Sequence, residues 1–194
     1  MRSLRITLVA MAVLALSLPA CAETPAVGSA APDFQLSTLD GKPFTLSKTV
    51  GGHNAVVLMF IATKCPYSNA YNDRMRDMAA AYASKGVLFV GINSNKTEPL
   101  AEAREHAKSN RHTFPIMKDP DNKVADLYDA KRTPEVFVVD KTGVVRYHGR
   151  IDENHEDPKG VTSPDLKNAL DAMIGGKTIE RAETKAFGCT IKRV

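Results

Sequence analysis

Two continuous apolar runs constrain the fold of this chain more than any other feature. "NAVVLMFIA" covers residues 54–62 and "VLFVGIN" covers residues 87–93. Both are rich in β-branched residues and lack polar alternation, which is typical of strands buried on both faces of a sheet. Between them, spacings of four, three and four residues indicate one apolar helix face, formed by Tyr71, Met75, Met78 and Tyr82. The order strand, helix, strand predicts an α/β protein.

Turn residues predict two hairpins around this unit. Asp40-Gly41 lies between two short alternating stretches in "DFQLSTLDGKPFTL", which indicates an N-terminal β-hairpin. Further on, "TPEVFVVDKTGVVRYHG" predicts a strand, a turn at Lys141-Thr142-Gly143 and a second strand. Strands that alternate with helices and end in a hairpin predict an α/β fold with a mixed sheet flanked by helices.

Three more helices are expected. Thr97 is the predicted N-cap of a helix with an apolar face at Leu100, Ala103 and Ala107. A short helical turn is expected around Val124, Leu127 and Tyr128. The last helix is predicted by a cap at Ser163, a first helical position at Pro164 and an end at Gly175.

The N-terminus predicts export. Arg2 and Arg5 precede an apolar run that ends in small residues, which is typical of a signal peptide at residues 1–22, cleaved after Ala22. The alternative is a lipoprotein that is lipidated at Cys21. The chain then divides into a flexible lead-in at 23–32, a domain at 33–176 and a C-terminal tail at 177–194.

Charge and hydropathy exclude two classes of partner. The net charge of +4 falls to +2 without Arg2 and Arg5, which is too weak and too dispersed for nucleic-acid binding. The apolar run at residues 6–18 is shorter than the roughly 20 residues that span a bilayer, so no stable membrane span is expected. A periplasmic or secreted location is therefore predicted, where disulfides persist.

Cys65 is the candidate nucleophile. It follows a buried strand and directly precedes Pro66 and a helix, so free backbone N–H groups and the positive end of the helix dipole converge on it. That environment stabilises a thiolate, as basic neighbours such as Lys64 also do. The alternative is a buried, unreactive cysteine.

These segments resemble a known family. "VVLMFIATKCPYS" is similar to the active-site segment of thioredoxin-fold proteins, and "APDFQLSTLDGKPFTL" resembles the redoxin and AhpC/TSA branch. "RTPEVFVVD" is similar to the loop in which a threonine precedes a cis-proline that faces the catalytic cysteine. Four segments together resemble a peroxiredoxin-like subgroup of that branch: "CPYSNAYNDRM", "GINSN", "GRID" and "GCTIK".

The resemblance implies a thioredoxin-like fold and a site built from Cys65, Pro66, Ser68, Thr133 and a cis Pro134, with the last four contacting substrate. It also shows departures. Ser68 stands where thioredoxins have a second cysteine, and Met59 stands where they have a buried carboxylate. Ala62 stands where peroxiredoxins have a threonine or serine that binds peroxide, which argues against peroxidase activity.

Cys189 is the expected resolving thiol, because Ser68 leaves no second cysteine in the motif. The tail is long enough to cross a small domain at about 3.3 Å per residue. Gly188 would permit a close backbone approach, Ile191 could anchor the tail, and "GCTIK" resembles the cysteine-bearing end of the subgroup. The alternative is a disordered tail in which Cys189 has no role.

The resulting hypothesis is an exported thiol–disulfide oxidoreductase without a metal or cofactor. It would act on protein or small-molecule disulfides and thiols, and an external thiol would reduce it. Two alternatives remain: a thiol peroxidase, and a non-enzymatic copper-binding protein, although Asn69 stands where fold-related copper proteins have a second cysteine.

Other polar residues are weaker candidates. The loop at 148–158 contains two histidines and four carboxylates, a composition that fits either a metal site or a solvated acidic loop. Asn93 and Asn95 end a strand on the side where α/β sheets carry their sites, and Arg132 could attract an anionic partner.

Overall fold

The computed structural model describes residues 24–194. The predicted signal peptide at 1–22, its cleavage after Ala22 and the alternative lipidation of Cys21 lie outside these residues. The helices and strands, in chain order, are β1 (Gln35–Ser37), β2 (Pro43–Thr45), α1 (Leu46–Val50), β3 (Ala55–Phe60), α2 (Pro66–Ala70), α3 (Asn72–Ala83), β4 (Val87–Asn93), α4 (Leu100–Ser109), β5 (Ile116–Lys118), α5 (Lys123–Leu127), β6 (Arg132–Thr133), β7 (Glu135–Asp140), β8 (Val145–Gly149), α6 (Asp165–Ile174) and β9 (Cys189–Thr190), with a 3₁₀ turn at Pro158–Gly160.

A five-stranded mixed sheet forms the centre of the fold. Its order is β5-β4-β3-β7-β8, with β3, β4 and β5 parallel and β7 antiparallel to both β3 and β8. The predicted N-terminal hairpin is formed by β1 and β2, with Gln35 opposite Thr45. The predicted mixed sheet and the hairpin are therefore confirmed.

Helices cover both faces of the sheet, and alternate residues of β3 point into two cores. Val57 and Met59 face the core under α3, α4 and α6, whereas Leu58 and Phe60 face the core under α1 and α5. All six residues of β3 are buried, as the unbroken apolar run predicts. The carboxyl end of this strand leads directly to Cys65.

Two predicted helix starts are wrong, by two residues at α4 and by one residue at α6. Thr97 is exposed and does not cap α4, which begins at Leu100 after an extended Pro99. Leu100 is itself exposed, so the buried face of α4 centres on Ala103. At α6, Pro164 is the N-cap rather than the first helical residue, while Gly175 ends the helix as predicted.

Both terminal segments of the described chain are hydrogen-bonded to the domain. In the segment predicted to be a flexible lead-in, Gly28 N donates to Val145 O at 2.8 Å and Ala31 N donates to Gly143 O at 2.8 Å. In the tail, Thr184 N donates to the His148 carbonyl at 2.9 Å, and Cys189 and Thr190 form β9. Both segments thus pack against the β7–β8 hairpin, and the tail also pairs with β6 through β9.

Among residues 24–194, no helix combines the length and the apolar character needed to cross a bilayer.

Candidate active site

Cys65 is the N-cap of α2 and is almost completely buried, with 2% of its surface exposed. The backbone at Cys65 is extended, and Pro66 occupies the first helical position, where its missing N–H costs nothing. The Sγ atom accepts a hydrogen bond from Ser68 N at 3.4 Å. The predicted strand–cysteine–helix junction is thus present, and the sulfur replaces the oxygen that usually caps a helix.

The loop before β7 faces this sulfur. The Thr133-Pro134 peptide bond is cis, as predicted. The Thr133 carbonyl lies 3.2 Å from Cys65 Sγ and accepts a hydrogen bond from it when the group is a thiol. Thr133 is buried, and its hydroxyl has no well-aligned hydrogen-bond partner, although it lies close enough to the sulfur to favour the thiolate.

The tail brings Cys189 to the same place. Strand β9 pairs antiparallel with β6, which sets Cys189 opposite Thr133 and Thr190 opposite Arg132. Gly188 has a φ of +135°, and a Cβ there would lie 2.1 Å from the Thr133 oxygen. Only glycine allows this close approach. Both cysteines are free thiols in this structure.

The two sulfurs shift each other's pKa in opposite directions. Burial raises the pKa of Cys65, but the neighbouring Cys189 side chain, the nearby Thr133 hydroxyl and the hydrogen bond from the Ser68 N–H outweigh it, so the pKa lies below its ordinary value. Burial and the hydrogen bond to Cys65 raise the pKa of Cys189 to about 11. The two directions favour a thiolate at Cys65 and a thiol at Cys189.

The last residues hold the tail in place, so the described tail is ordered against the domain. Ile191 is 3% exposed and packs in the core under α5, and its N–H donates to Lys131 O at 3.0 Å. Lys192 N donates to Asn95 Oδ1 at 2.7 Å. Arg193 forms an ion pair with Asp126 at 2.7 Å. The anchoring role predicted for Ile191 is thereby confirmed.

Several other candidates have structural partners. The Ser68 hydroxyl, also buried, accepts a hydrogen bond from Ala62 N at 3.1 Å, so it ties the helix start to the end of β3. Asn93 and Asn95 are buried and donate to Glu98. Arg132 donates to the Thr190 hydroxyl at 2.9 Å and so contacts the tail.

Two carboxylates of the loop at 148–158 bind groups elsewhere in the domain. Asp152 binds the Arg74 guanidinium at 2.8 Å and the Tyr71 hydroxyl at 2.7 Å. Glu153 accepts hydrogen bonds from the Thr162 hydroxyl and from Ser163 N. Within residues 24–194, no three histidine, cysteine or carboxylate side chains gather as metal ligands would.

Two features of the site were not found from the sequence. The rings of His155 and Tyr67 lie with their centroids 4.2 Å apart and their planes tilted by 31°, and Phe187 in the tail completes an aromatic cluster with them. Glu98 is a buried carboxylate that binds the backbone just before Cys65. Glu98 lies just before Pro99 at a helix start, and nothing in the local sequence predicted that its side chain is buried.

Comparison with known proteins places this site in a family. A model of the AhpC/TSA family matches residues 27–148. The thiol-disulfide oxidoreductase ResA of Geobacillus thermodenitrificans is 33% identical over 121 residues, which cover 62% of this chain and 67% of ResA. The chloroplastic peroxiredoxin Q of Oryza sativa subsp. japonica is 32% identical over 127 residues, which cover 62% of this chain and 57% of that protein.

Solved structures show the same fold. Hypothetical protein SMc02350 of Sinorhizobium meliloti 1021 has a TM-score of 0.81 and 31% identity, and the match covers 89% of this chain and 97% of that chain. A secreted Mycobacterium tuberculosis disulfide oxidoreductase homologous to E. coli DsbE has a TM-score of 0.56 and 22% identity, covering 74% and 95%. The chain therefore has a thioredoxin-like fold and is an oxidoreductase that belongs to the AhpC/TSA family.

Proposed function

We propose that this protein is an exported thiol–disulfide oxidoreductase in which Cys65 is the nucleophile and Cys189 is the resolving thiol. The observation that carries the proposal is the β6–β9 ladder, which sets Cys189 opposite Thr133, the residue whose carbonyl lies 3.2 Å from Cys65 Sγ. A thiolate next to a thiol, on a helix N-cap, is the arrangement that dithiol exchange needs.

The reaction takes two exchange steps. The Cys65 thiolate attacks one sulfur of a substrate disulfide, RSSR′, forming a Cys65–SR mixed disulfide and releasing R′S⁻. The Cys189 sulfur then attacks Cys65 Sγ, the Cys65–SR bond breaks, and the departing RS⁻ takes the Cys189 proton. The substrate gains two electrons, and the protein ends with a Cys65–Cys189 disulfide. An external dithiol that becomes oxidised returns the protein to the reduced state.

Substrate contacts are proposed for the groups around the sulfur. Thr133 and Pro134 offer an edge on which an extended substrate can dock, and Pro66 and Ser68 shape the other side of Cys65. Because Cys65 is buried below Gly188 and Cys189, a protein disulfide reaches it only when this part of the tail moves aside. The five residues beyond Cys189 are all hydrogen-bonded to the domain, so the tail can open locally while its end stays bound.

Export is part of the same proposal. Residues 1–22 have the pattern of a signal peptide, and a fold relative from M. tuberculosis is secreted. A periplasmic or extracellular location would give the protein disulfide substrates. N-terminal sequencing of the protein after secretion from a bacterial host tests this: a start at Glu23 supports cleavage after Ala22, and a lipidated Cys21 contradicts it.

An insulin-reduction assay with dithiothreitol as the reductant tests the activity. The wild type should accelerate precipitation of the insulin B chain, and Cys65→Ser should remove the acceleration completely. Cys189→Ser should trap mixed disulfides on Cys65, which non-reducing electrophoresis detects. A Cys65→Ser variant with wild-type activity would refute the proposal.

A thiol peroxidase is the second candidate, and the burial of Cys65 favours it, because hydrogen peroxide is small enough to enter where a protein disulfide is not. The similarity to peroxiredoxin Q supports the same alternative. Ala62 opposes it, since its side chain cannot hydrogen-bond a peroxide. Rapid consumption of hydrogen peroxide by the reduced protein, together with slow insulin reduction, would favour the peroxidase.

A further inference from the structure

Glu98 is a buried carboxylate whose four hydrogen bonds all come from neutral N–H donors. It is 1% exposed. Its Oε2 accepts from Thr63 N at 2.8 Å and from Asn93 Nδ2 at 2.6 Å. Its Oε1 accepts from Lys64 N at 3.0 Å and from Asn95 Nδ2 at 3.0 Å. An ionised carboxylate only accepts hydrogen bonds, so this set of donors matches its charged form.

The two backbone donors lead directly into the nucleophile. Thr63 and Lys64 lie between the end of β3 and Cys65, where their N–H groups have no strand or helix partner. Buried backbone donors need an acceptor, and Glu98 supplies one for each of them. The carboxylate therefore fixes the backbone that places Cys65 on the N-terminus of α2.

The amide donors connect the same carboxylate to the tail. Asn95 donates to Glu98 through Nδ2, and its Oδ1 accepts a hydrogen bond from Lys192 N at 2.7 Å. Lys96 N donates to Lys192 O at 2.8 Å. Lys192 follows Cys189 by three residues, so a short chain of hydrogen bonds runs from Glu98 to the tail segment just after the strand that carries the second thiol.

Lys118 reinforces this network from the other side. Its Nζ donates to Asn93 Oδ1 at 2.7 Å and to Asn95 O at 2.6 Å. The lysine charge lies near Glu98, so the buried carboxylate has a cation close by without a direct ion pair. Asn93 and Asn95 are thereby held in the orientation that presents their amide groups to Glu98.

We propose that Glu98 is a positioning residue that holds the Cys65 loop directly and the Cys189 tail through Asn95, and so sets how readily the two thiols form a disulfide. Glu98 touches neither sulfur and takes no part in electron transfer. This inference rests on the proposed function, because it concerns the pairing of Cys65 with Cys189.

The equilibrium between the dithiol and the Cys65–Cys189 disulfide in glutathione buffers tests the inference. The Glu98→Gln side chain keeps one acceptor oxygen, and its NH₂ group replaces the other. This NH₂ group faces a backbone N–H of the loop, at Thr63 or Lys64, and cannot accept its hydrogen bond. The equilibrium constant for disulfide formation should fall by about tenfold, the lower size expected for a lost charge-assisted hydrogen bond. The matched control is Glu102→Gln, since Glu102 binds Thr63 and Lys64 only through their side chains; it should keep the wild-type constant.

Asn95→Ala gives a second, independent test. It breaks the link to Lys192 and leaves the Glu98 bonds to Thr63 and Lys64 in place, so it should also lower the equilibrium constant. The two variants should differ in the pKa of Cys65 when Cys189 is also replaced by alanine, because that pKa then depends on the Cys65 loop and no longer on the second thiol. In that background, Glu98→Gln should change the pKa of Cys65, and Asn95→Ala should leave it unchanged.

The possible outcomes separate the two proposals. A wild-type protein that forms no Cys65–Cys189 disulfide refutes the proposed function and this inference with it. A wild type that forms the disulfide, with both Glu98→Gln and Asn95→Ala at the wild-type equilibrium constant, refutes only the inference. If Glu98→Gln does not fold, the Asn95→Ala result decides: a lowered constant supports the link to the tail, and an unchanged constant overturns it.

Discussion

Thr133 and Cys189 are paired residues of the β6–β9 ladder, and Thr133 is also the residue whose carbonyl contacts Cys65 Sγ at 3.2 Å. One residue therefore touches the proposed nucleophile and fixes the strand that carries the proposed resolving thiol. The separation of the two sulfurs depends on this short ladder, so changes at residues 133, 188 and 191 should alter thiol chemistry before they alter the fold.

Replacing Cys189 by serine or by alanine should have different effects on the pKa of Cys65. Both variants lack the second thiol, but serine keeps an O–H donor for the Cys65 thiolate and alanine does not. The pKa of Cys65 should therefore be higher in Cys189→Ala than in Cys189→Ser. Peptide-resolved alkylation of Cys65 across pH measures both values, and equal values would contradict the hydrogen bond between the two side chains.

Stability should depend on pH through the same pair. The pKa of Cys65 is lowered on folding, so the stability from its thiolate is fully present above the unfolded value of about 8.5 and is lost as pH falls through the folded pKa. Cys189 acts in the opposite direction. Its pKa rises to about 11, so its contribution is present below about 8.5 and is lost as pH rises through 11. In Cys189→Ala, urea unfolding should show a weaker pH dependence from Cys65 and none from position 189.

Gly188→Ala should separate β9 from β6. The new Cβ would meet the Thr133 oxygen at 2.1 Å, and the φ of +135° is strained for alanine, with a cost of about 1 to 3 kcal/mol. Formation of the intramolecular disulfide should slow, and alkylation of Cys65 should become faster because the tail covers it less. Mass spectrometry of quenched samples measures both rates.

Gly176→Ala is the control for that variant. Gly176 also has a positive φ, at +65°, but a Cβ there meets no atom within 4 Å. It should share the backbone cost and keep wild-type thiol rates. Equal rates in the two variants would show that the close approach at Gly188 has no effect on the cysteines.

Ile191→Ala should loosen the tail. The side chain is buried in the core under α5, and truncating a buried isoleucine costs about 2 to 5 kcal/mol of the stability of the structure that it anchors. Hydrogen exchange at β9 should accelerate more than exchange in β3. Val194→Ala, at an exposed position 72% accessible, is the control and should change neither. Uniform acceleration across the sheet would mean that the tail does not open on its own.

Thr133→Val tests the hydroxyl that has no well-aligned partner. Valine keeps the shape of threonine and removes only the polar atom, so the free energy of unfolding should change by less than about 1 kcal/mol. The pKa of Cys65 should rise, because the Thr133 side chain favours the thiolate. A large loss of stability without a change in this pKa would assign the hydroxyl to folding instead.

Local sequence patterns predicted the fold well where composition and neighbouring residues agreed. The β-branched apolar run from Ala55 to Phe60 indicated a strand buried on both faces, and Cys65-Pro66 indicated a helix start after it, as the structure has them. Helix starts were less predictable. At α4 the polar Thr97 had the residue type of a cap, but Pro99 is the residue that precedes the helix, and the Glu98 side chain turns inward to bind backbone N–H groups.

The residues of the candidate site could be proposed from the sequence, but the contacts that position them could not. Cys65 followed from its place between a strand and a helix, and the cis Thr133-Pro134 bond followed from the resemblance at "RTPEVFVVD" and the strand after it. Cys189 was proposed from the cysteine count and the resemblance at "GCTIK". The β6–β9 ladder was not predictable, because two-residue strands carry no periodicity. Glu98 was missed because its partners are backbone groups 34 and 35 residues away, which no sequence pattern encodes.

Peptide mapping after one turnover tests the central claim most directly. The reduced protein is mixed with one equivalent of a disulfide substrate, quenched with acid and digested without reductant. We predict a single linked peptide pair that joins Cys65 to Cys189, with two released substrate thiols. A stable mixed disulfide on Cys65, with Cys189 still free, would contradict the account.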